Sequence, residues 1–373
     1  MPYSLYIHIP FCKRKCAYCD FPSYAGRDEF IPEYLEALKF ELEYYYILYK
    51  RPAIRTIYVG GGTPTLLSEE QLSSLFTFIK NDFDVLSGAE ITIEANPGTV
   101  TKEKLKTLIG AGVNRISFGA QTFNNSLLKK IGRIHSEREI YDAFNMAREA
   151  GFRNINLDLI FALPGEDMKD WQESLEKAVK LKPEHISTYN LQIEEDTPLH
   201  LEKLEGRLNL PDEDKELEMY KYAIKYLGDN GYSQYEISNF AKPGFECEHN
   251  KAYWTLREYI GVGAGAHSFL GNSRIGNTPY LDKYLTRDMK AIKTEHANTK
   301  KENMQEMVFL GLRLIKGFNL GDFTNRFGIS MREIYRKELA ELTEDGLIEM
   351  NGKNLRLTEN GLFLANEVFK KFL

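Results

Sequence analysis

The chain has 373 residues, 43% of them hydrophobic, which suits one large domain plus a small one around an ordinary globular core. Its formal charge is −6 with acidic and basic residues interspersed, which argues against a general nucleic-acid partner and a polyanionic substrate. No stretch approaches the ~20 apolar residues needed to cross a bilayer. The opening Met1-Pro2-Tyr3-Ser4-Leu5 has no basic region followed by an apolar one. A cytoplasmic location is therefore expected, and peripheral membrane contact and homodimerisation are both compatible with it.

From Leu5 to about Gln192, short β-branched runs alternate with amphipathic stretches. Strands are predicted at Leu5–Ile9, Arg55–Val59, Glu90–Glu94, Arg115–Phe118, Asn154–Ile160 and His185–Leu191. Helices are predicted between them at Tyr34–Tyr49, Glu69–Asn81, Lys102–Ala111, Glu137–Ala150 and Trp171–Leu181. Ser68 and Thr101 supply start signals, and Ala111-Gly112 and Ala150-Gly151 supply stops. Six β/α units in succession imply a parallel sheet covered by helices. Six are too few to close an eight-stranded barrel. The expected fold is α/β, a curved and partly open (β/α)6 barrel over residues 1–230, with its chemistry at the C-terminal strand ends.

Residues 231–300 are expected to connect this barrel to a C-terminal α+β module at 301–373. There Gly317-Phe318-Asn319-Leu320 leads into helices at about Leu320–Phe327 and Met331–Leu342, and Leu347–Leu357 reads as a hairpin turning on Asn351-Gly352. Helix–turn–helix followed by a hairpin resembles a winged helix. The module carries 11 Lys+Arg against 11 Asp+Glu, so the electrostatic footprint of a DNA binder is missing and a lid or structural cap is expected.

Three of the four cysteines fall within eight residues, Cys12-Lys13-Arg14-Lys15-Cys16-Ala17-Tyr18-Cys19, directly after the first strand. Clustered thiols without a secretory signal disfavour disulfides. A zinc site with an open position would use the same thiolates, but the second Cys/His pair that usually completes one does not follow. An iron–sulfur cube normally takes four thiolates, so three leave one iron open. An open iron can bind the amino and carboxylate groups of S-adenosylmethionine (SAM), and SAM with Fe–S is a cofactor pair for radical chemistry.

Further polar groups sit where the predicted strands end. Val59-Gly60-Gly61-Gly62-Thr63-Pro64-Thr65 could bring backbone N–H groups against a carboxylate or carbonyl, or could simply make a tight turn. A phosphate loop is disfavoured, because Thr-Pro-Thr stands where Gly-Lys-Ser/Thr would follow. Glu94 ends one alternating strand and Gln121 follows another. Asp158 is an acid inside an apolar run and needs a partner, either in a structural ion pair or in a ligand. The later Gly261-Val262-Gly263-Ala264-Gly265 lacks the βαβ setting of a dinucleotide site, so it is expected to line the cavity, where His267 could face in.

Taken together, the three-cysteine loop with Tyr18 before its last cysteine, Tyr6-Ile7-His8-Ile9-Pro10-Phe11-Cys12, Gly60–Thr65, Ser117–Gln121 and Asp158–Gly165 resemble the radical-SAM superfamily of oxygen-independent coproporphyrinogen III oxidase. The resemblance runs nearly the whole length, winged-helix-like tail included. It implies a [4Fe–4S] cluster on Cys12, Cys16 and Cys19 beside Tyr18, and a first SAM held by Tyr6, Gly61, Gly62, Thr63 and Glu94. It also implies that Gln121, Arg133 and Asp158 complete the adenosine site or hold a second SAM, with Gln192 joining them.

Two departures separate the chain from the oxidases. Those carry a fourth cysteine two residues beyond the third, where this chain has Phe21. And Cys247-Glu248-His249-Asn250-Lys251-Ala252-Tyr253-Trp254 is similar to the H-N-x-x-Y-W motif of the radical-SAM heme chaperones, which bind heme and pass it to an acceptor. Imidazole is a common heme ligand and aromatics can cover the macrocycle. The resemblance thus implies heme on His249, with Cys247 as the alternative ligand, a heme-acceptor protein, and an electron donor for the cluster. The rival function is oxidative decarboxylation of porphyrinogen propionates.

Overall fold

The computed structural model describes residues 2–373. The strands are β1 (Tyr3–Ile9), β2 (Ala53–Gly61), β3 (Asp84–Ala95), β4 (Arg115–Gln121), β5 (Ile155–Phe161) and β6 (His185–Asn190), paired in parallel in chain order. Between them run α1 (Ile31–Tyr49), α2 (Glu69–Asp82), α3 (Lys102–Gly110), α4 (Glu137–Ala150) and α5 (Met168–Lys180). Each predicted unit is present. α1 begins three residues early because Pro32, unable to donate an N–H, fits the first turn. Ser68 closes a capping box on α2 with Gln71, and Asp167 closes one on α5 with Asp170.

The parallel strands are asymmetric across their two faces. One row, with Leu5, Ile7, Ile57, Val59, Ile91, Ile93, Ile116, Phe118, Leu157, Leu159 and Ile186, is buried against the helices in one core. The other row reads Tyr6, Tyr58, Thr92 and Arg115 in register at one level, and Glu94, Ser117 and Asn156 at another. Barrel interiors are ordinarily filled by branched apolar side chains. Here the interior is polar, which suits a cavity that holds a ligand.

Residues 231–300 do more than connect. After α6 (Pro198–Leu204) and α7 (Glu213–Asp229), β7 (Ser233–Glu236) and β8 (Asn239–Ala241) extend the sheet antiparallel beyond β6. A short helix, α8 (Glu248–Trp254), follows. Then β9 (Tyr259–Val262) pairs in parallel with β1, and β10 (His267–Leu270), β11 (Ser273–Asn277) and β12 (Lys293–Ala297) continue antiparallel. The result is one open twelve-stranded sheet, ordered β12-β11-β10-β9-β1-β2-β3-β4-β5-β6-β8-β7. The fully buried Glu41 of α1 ties this extension down: it accepts from Gly263 N (2.9 Å), Asn277 Nδ2 (2.9 Å), Tyr284 OH (2.7 Å) and Lys293 Nζ (2.5 Å). A buried carboxylate is tolerated only when satisfied in this way.

The last segment holds α9 (Lys300–Leu312), α10 (Leu320–Phe327), α11 (Arg336–Glu344) and the hairpin β13 (Ile348–Asn351)–β14 (Asn354–Leu357), around a second apolar core that includes Val308, Phe323, Leu342 and Val368. The helix expected over Met331–Leu342 is interrupted at Tyr335 (φ −112°, ψ 34°), whose buried ring packs edge-on against Phe323 and Phe372. Among the described residues, no helix is long and apolar enough to cross a membrane.

Candidate functional site

The three-cysteine loop leaves β1 at its C-terminal end and is held from several sides. Gly62 N donates to Ile9 O (2.9 Å), Thr63 N to Phe11 O (2.8 Å), and Ala17 N to Ile131 O (3.0 Å). His8 fixes the far side: Nε2 meets Pro22 O at 2.8 Å and Nδ1 meets Tyr6 OH at 2.9 Å. Burial pushes the His8 imidazole pKa down and keeps the ring neutral. Gly61 (φ 111°) and Gly62 leave no room for a side chain. The His8 ring fills the space beside the first, and a Cβ on the second would sit 2.7 Å from Phe11 O.

This loop faces a cavity of about 400 Å³ at the C-terminal strand ends. Cys12, Cys16, Tyr18, Cys19, Gly61, Gly62, Thr63, Glu94, Gln121, Arg133, Asp158 and Gln192 all line it. Residues from seven separate segments, each singled out in the sequence, therefore share one wall. Tyr6 lies outside the lining, its ring stacked 6.2 Å from that of Tyr58. The sequence reading missed Tyr58, Ser117, Asn156 and Tyr189. Their signal is the alternation of polar with apolar residues along β2 and β4–β6, which places each on the interior row.

The thiols have distinct surroundings. Thr63 Oγ1 donates to Cys12 Sγ (3.6 Å), and Arg133 Nη1 donates to Cys16 Sγ (3.5 Å) while its Nη2 donates to Gly119 O (2.6 Å). Burial raises the Cys12 and Cys19 thiol pKa values above the ordinary range, so both are poor thiolates until a metal takes the charge. Arg133 Nε is buried with no partner, a donor left over beside the cavity. Among the described residues, no Cys, His, Asp or Glu side chains converge as they would around a single metal ion. The three thiols line the same cavity, so their donors are available together for a thiolate-held group.

Two carboxylates are set deeper. Glu94 Oε1 accepts from Tyr58 OH (2.8 Å) and Oε2 from Gly61 N (2.9 Å). Burial, reinforced by the nearby Asp158 charge, pushes its pKa up to about 7. Asp158 Oδ2 accepts from Ser117 Oγ (2.7 Å) and Oδ1 from Asn156 Nδ2 (2.8 Å), so a hydrogen-bonded clamp aims it into the cavity instead of an ion pair. Gln121 sits at φ 65°, a left-handed conformation unusual outside glycine, at the strand end beside Arg133.

The structure does not bring the heme-ligand candidates here. His249 is fully buried on α8, with Nδ1 at 2.8 Å from Thr56 Oγ1 and Nε2 at 2.9 Å from Tyr253 OH. Burial, with Arg115 nearby, pushes its pKa down to about 3. Neither ring nitrogen has a free lone pair or proton for an incoming iron unless one of those bonds breaks. Cys247 is equally buried, its thiol pushed up to about 12 by burial and donating to Glu90 Oε1 at 3.5 Å. The imidazole-and-aromatic pattern was legible in the sequence, but the pairing of both nitrogens was not. His267 lies on the exposed sheet extension, outside the cavity lining.

Comparison with known proteins agrees with this geometry. The radical SAM superfamily profile matches residues 6–178, and the HemN C-terminal domain profile matches 298–364. The chain is 42% identical to a protein of Lactococcus lactis named heme chaperone HemW, over 100% of this chain and 97% of that protein. It is 43% identical to the Bacillus subtilis protein of the same name, over 99% of each. Among solved structures, Escherichia coli coproporphyrinogen III oxidase (HemN), described as a radical SAM enzyme, superimposes with a TM-score of 0.86 at 26% identity, covering 100% of this chain and 90% of that one.

Proposed function

The chain belongs to the HemW family of radical SAM proteins, and on that premise we propose that it is a heme chaperone, binding heme and passing it to an acceptor protein. The observation that carries the proposal is the end-to-end similarity, at 42% and 43% identity, to two proteins named as heme chaperones. Phe21 adds to it, because a bare phenyl ring stands where the oxidases place a fourth cysteine.

Cys12, Cys16 and Cys19 would hold a [4Fe–4S] cluster, with Tyr18 packed beside them. When bound, the cluster and SAM supply a one-electron centre with one iron open to the SAM amino and carboxylate groups. The chain's part is binding and orientation. Gly61 and Gly62 let the backbone approach the ligand, Thr63 is positioned beside Cys12, and Glu94 takes the first SAM, with Tyr6 stacked behind Tyr58 and holding His8. Asp158, held by Ser117 and Asn156, receives ribose hydroxyls, and Gln121, Arg133 and Gln192 complete that end.

The C-terminal module acts as a cap, an electron donor serves the cluster, and a reducing cytoplasm suits unpaired thiols. The deciding experiment is titration of the anaerobically reconstituted protein with hemin beside an assay for protoporphyrinogen IX formation from coproporphyrinogen III and SAM. Heme binding followed by transfer to a heme-depleted acceptor, with no decarboxylation, is expected. Decarboxylation would put the oxidase reading first.

A further inference from the structure

We propose that the outer side of the three-cysteine loop is a docking surface for a small acidic electron-carrier protein, whose iron–sulfur or flavin centre delivers one electron to the cluster. This rests on the reading of Cys12, Cys16 and Cys19 as cluster ligands, and it gives the electron donor which that reading requires a place and a charge.

Charge is distributed unevenly around the thiols. The whole chain has 54 Asp and Glu against 48 Lys and Arg. Residues 10–19 nevertheless carry Lys13, Arg14 and Lys15, residues 119–135 carry Lys129, Lys130 and Arg133, and neither stretch holds an acid. The two pack on one another: Ala17 N donates to Ile131 O at 3.0 Å, and a Cβ on Gly132 would lie 3.5 Å from Cys16 Cα. Arg133 is engaged by Cys16 Sγ and Gly119 O. The other five cations are exposed, and among the described residues none of them makes an ion pair. The exposed acids of the cavity lining, Asp20 and Glu194, belong to other stretches.

Like charges gathered on one surface repel one another, and an opposite surface relieves that repulsion and is steered toward it. Location decides which opposite surface fits. Lys13 adjoins Cys12, Lys15 adjoins Cys16, and Arg14 stands two residues from each. A partner seated on these side chains therefore lies against the ligand loop itself, where a one-electron donor has the shortest path to the cluster. Lys13, Lys129 and Lys130 lie outside the cavity lining, so such a partner does not compete with a ligand in the cavity.

The size of the patch suits the same partner. A handful of flexible cations raises the rate of encounter without building a lasting complex, and electron-transfer encounters are small and weak. The loop is also a fixed platform, tied by Thr63 N to Phe11 O, by Leu199 N to Ala17 O and by His8 Nε2 to Pro22 O. The step itself is outer-sphere. One electron leaves the reduced carrier and enters the cluster, the carrier is oxidised by the amount the cluster is reduced, and no bond is made or broken.

The test is stopped-flow mixing of the anaerobically reconstituted full-length protein with reduced plant-type ferredoxin, an acidic carrier, and separately with reduced methyl viologen, a small cation. The ferredoxin rate is expected to fall at least ~tenfold from low to high ionic strength. Lys13→Glu/Lys129→Glu/Lys130→Glu should slow it at least ~tenfold at low salt, while methyl viologen reacts no more slowly than with wild type. Binding of oxidised ferredoxin, followed by NMR line broadening, should weaken in parallel, with cluster iron and SAM affinity unchanged. Lys300→Glu/Lys301→Glu/Lys353→Glu makes the same change in net charge at exposed positions of the C-terminal module and should leave the ferredoxin rate within about twofold. Equal slowing in both variants, or no effect of the first on a rate or on binding, overturns the proposal. So does a first variant that loses salt-sensitive binding to anionic lipid vesicles but keeps the wild-type ferredoxin rate, which would make the patch a membrane contact. A reconstituted wild type without a [4Fe–4S] spectrum overturns the cluster reading itself.

Discussion

Glu94 offers a quantitative test of the SAM site. Its pKa of about 7 in the folded protein exceeds the usual 4.5, with burial as the main cause. A ligand that donates to the carboxylate binds the ionised form, so binding below pH 7 must first release a proton. The apparent SAM affinity should therefore rise with pH, about tenfold from pH 6 to the level reached above pH 7.5, one pKa unit being a factor of ten. Isothermal titration of the anaerobic protein at pH 5.5–7.5, in two buffers of different ionisation heat, reads both the affinity and the proton released. Glu94→Gln should bind weakly and flatten the profile. The same shift has a stability consequence of fixed sign. Between pH 4.5 and 7 the folded state holds a proton the unfolded state has lost, so stability falls as pH rises through that window. Ionised Glu94 then costs on the order of 3 kcal/mol above pH 7, and nothing below 4.5. In urea denaturation of the metal-free protein, Glu94→Gln should therefore gain on wild type at pH 8 relative to pH 4.5. A SAM affinity independent of pH in wild type, or equal slopes in wild type and Glu94→Gln, would refute the reasoning.

Two further outcomes follow from the site. Cys16→Ala should abolish a [4Fe–4S] spectrum after anaerobic reconstitution while Cys247→Ala leaves it intact, since Cys247 is buried away from the loop against Glu90; the reverse pattern would reassign the ligands. Asp158→Ala should weaken SAM binding by about 1.5–3 kcal/mol, the worth of a hydrogen bond to a charged group, with near-normal cluster iron. An unchanged affinity in that folded variant would make the Ser117–Asp158–Asn156 clamp purely structural.

How far the sequence could be read depended on whether a signal was local. Strand positions and the order of the β/α units followed from period and from caps such as Ser68 and Thr101, each set by residues within a turn or two. The cysteine loop, the glycines and the strand-end acids were legible because spacing alone carries their chemistry. The role of residues 231–300 was not, because β9 pairs with β1 more than 250 positions away, and no local pattern encodes such a partner. Tyr58 and Asn156 were hidden for a related reason. Alternation shows that they face opposite to the helix-packing row, but only closure of the sheet shows that this face encloses a cavity. The break at Tyr335 is tertiary in origin, since Phe323 and Phe372 draw its ring inward.

His249 is the most instructive case, because the structure engages both of its ring nitrogens inside the barrel. Glu90, near the N-terminal side of β3's barrel segment, accepts the backbone N–H groups of Glu248 and His249 at 3.0 Å each, placing a carboxylate at the start of α8 where the helix dipole favours negative charge. His249 then reaches inward to Thr56 of β2, and Tyr253 braces it from the next turn. These bonds knit α8 across the ends of two strands and close the barrel floor. A residue so used loses its value as a movable metal ligand: releasing the imidazole would leave buried Thr56 and Tyr253 hydroxyls unpaired, at about 1–3 kcal/mol for each. The cavity lined by the cysteine loop lies at the opposite, C-terminal strand ends. That is where the three thiols open and where α6 packs on the loop that carries them.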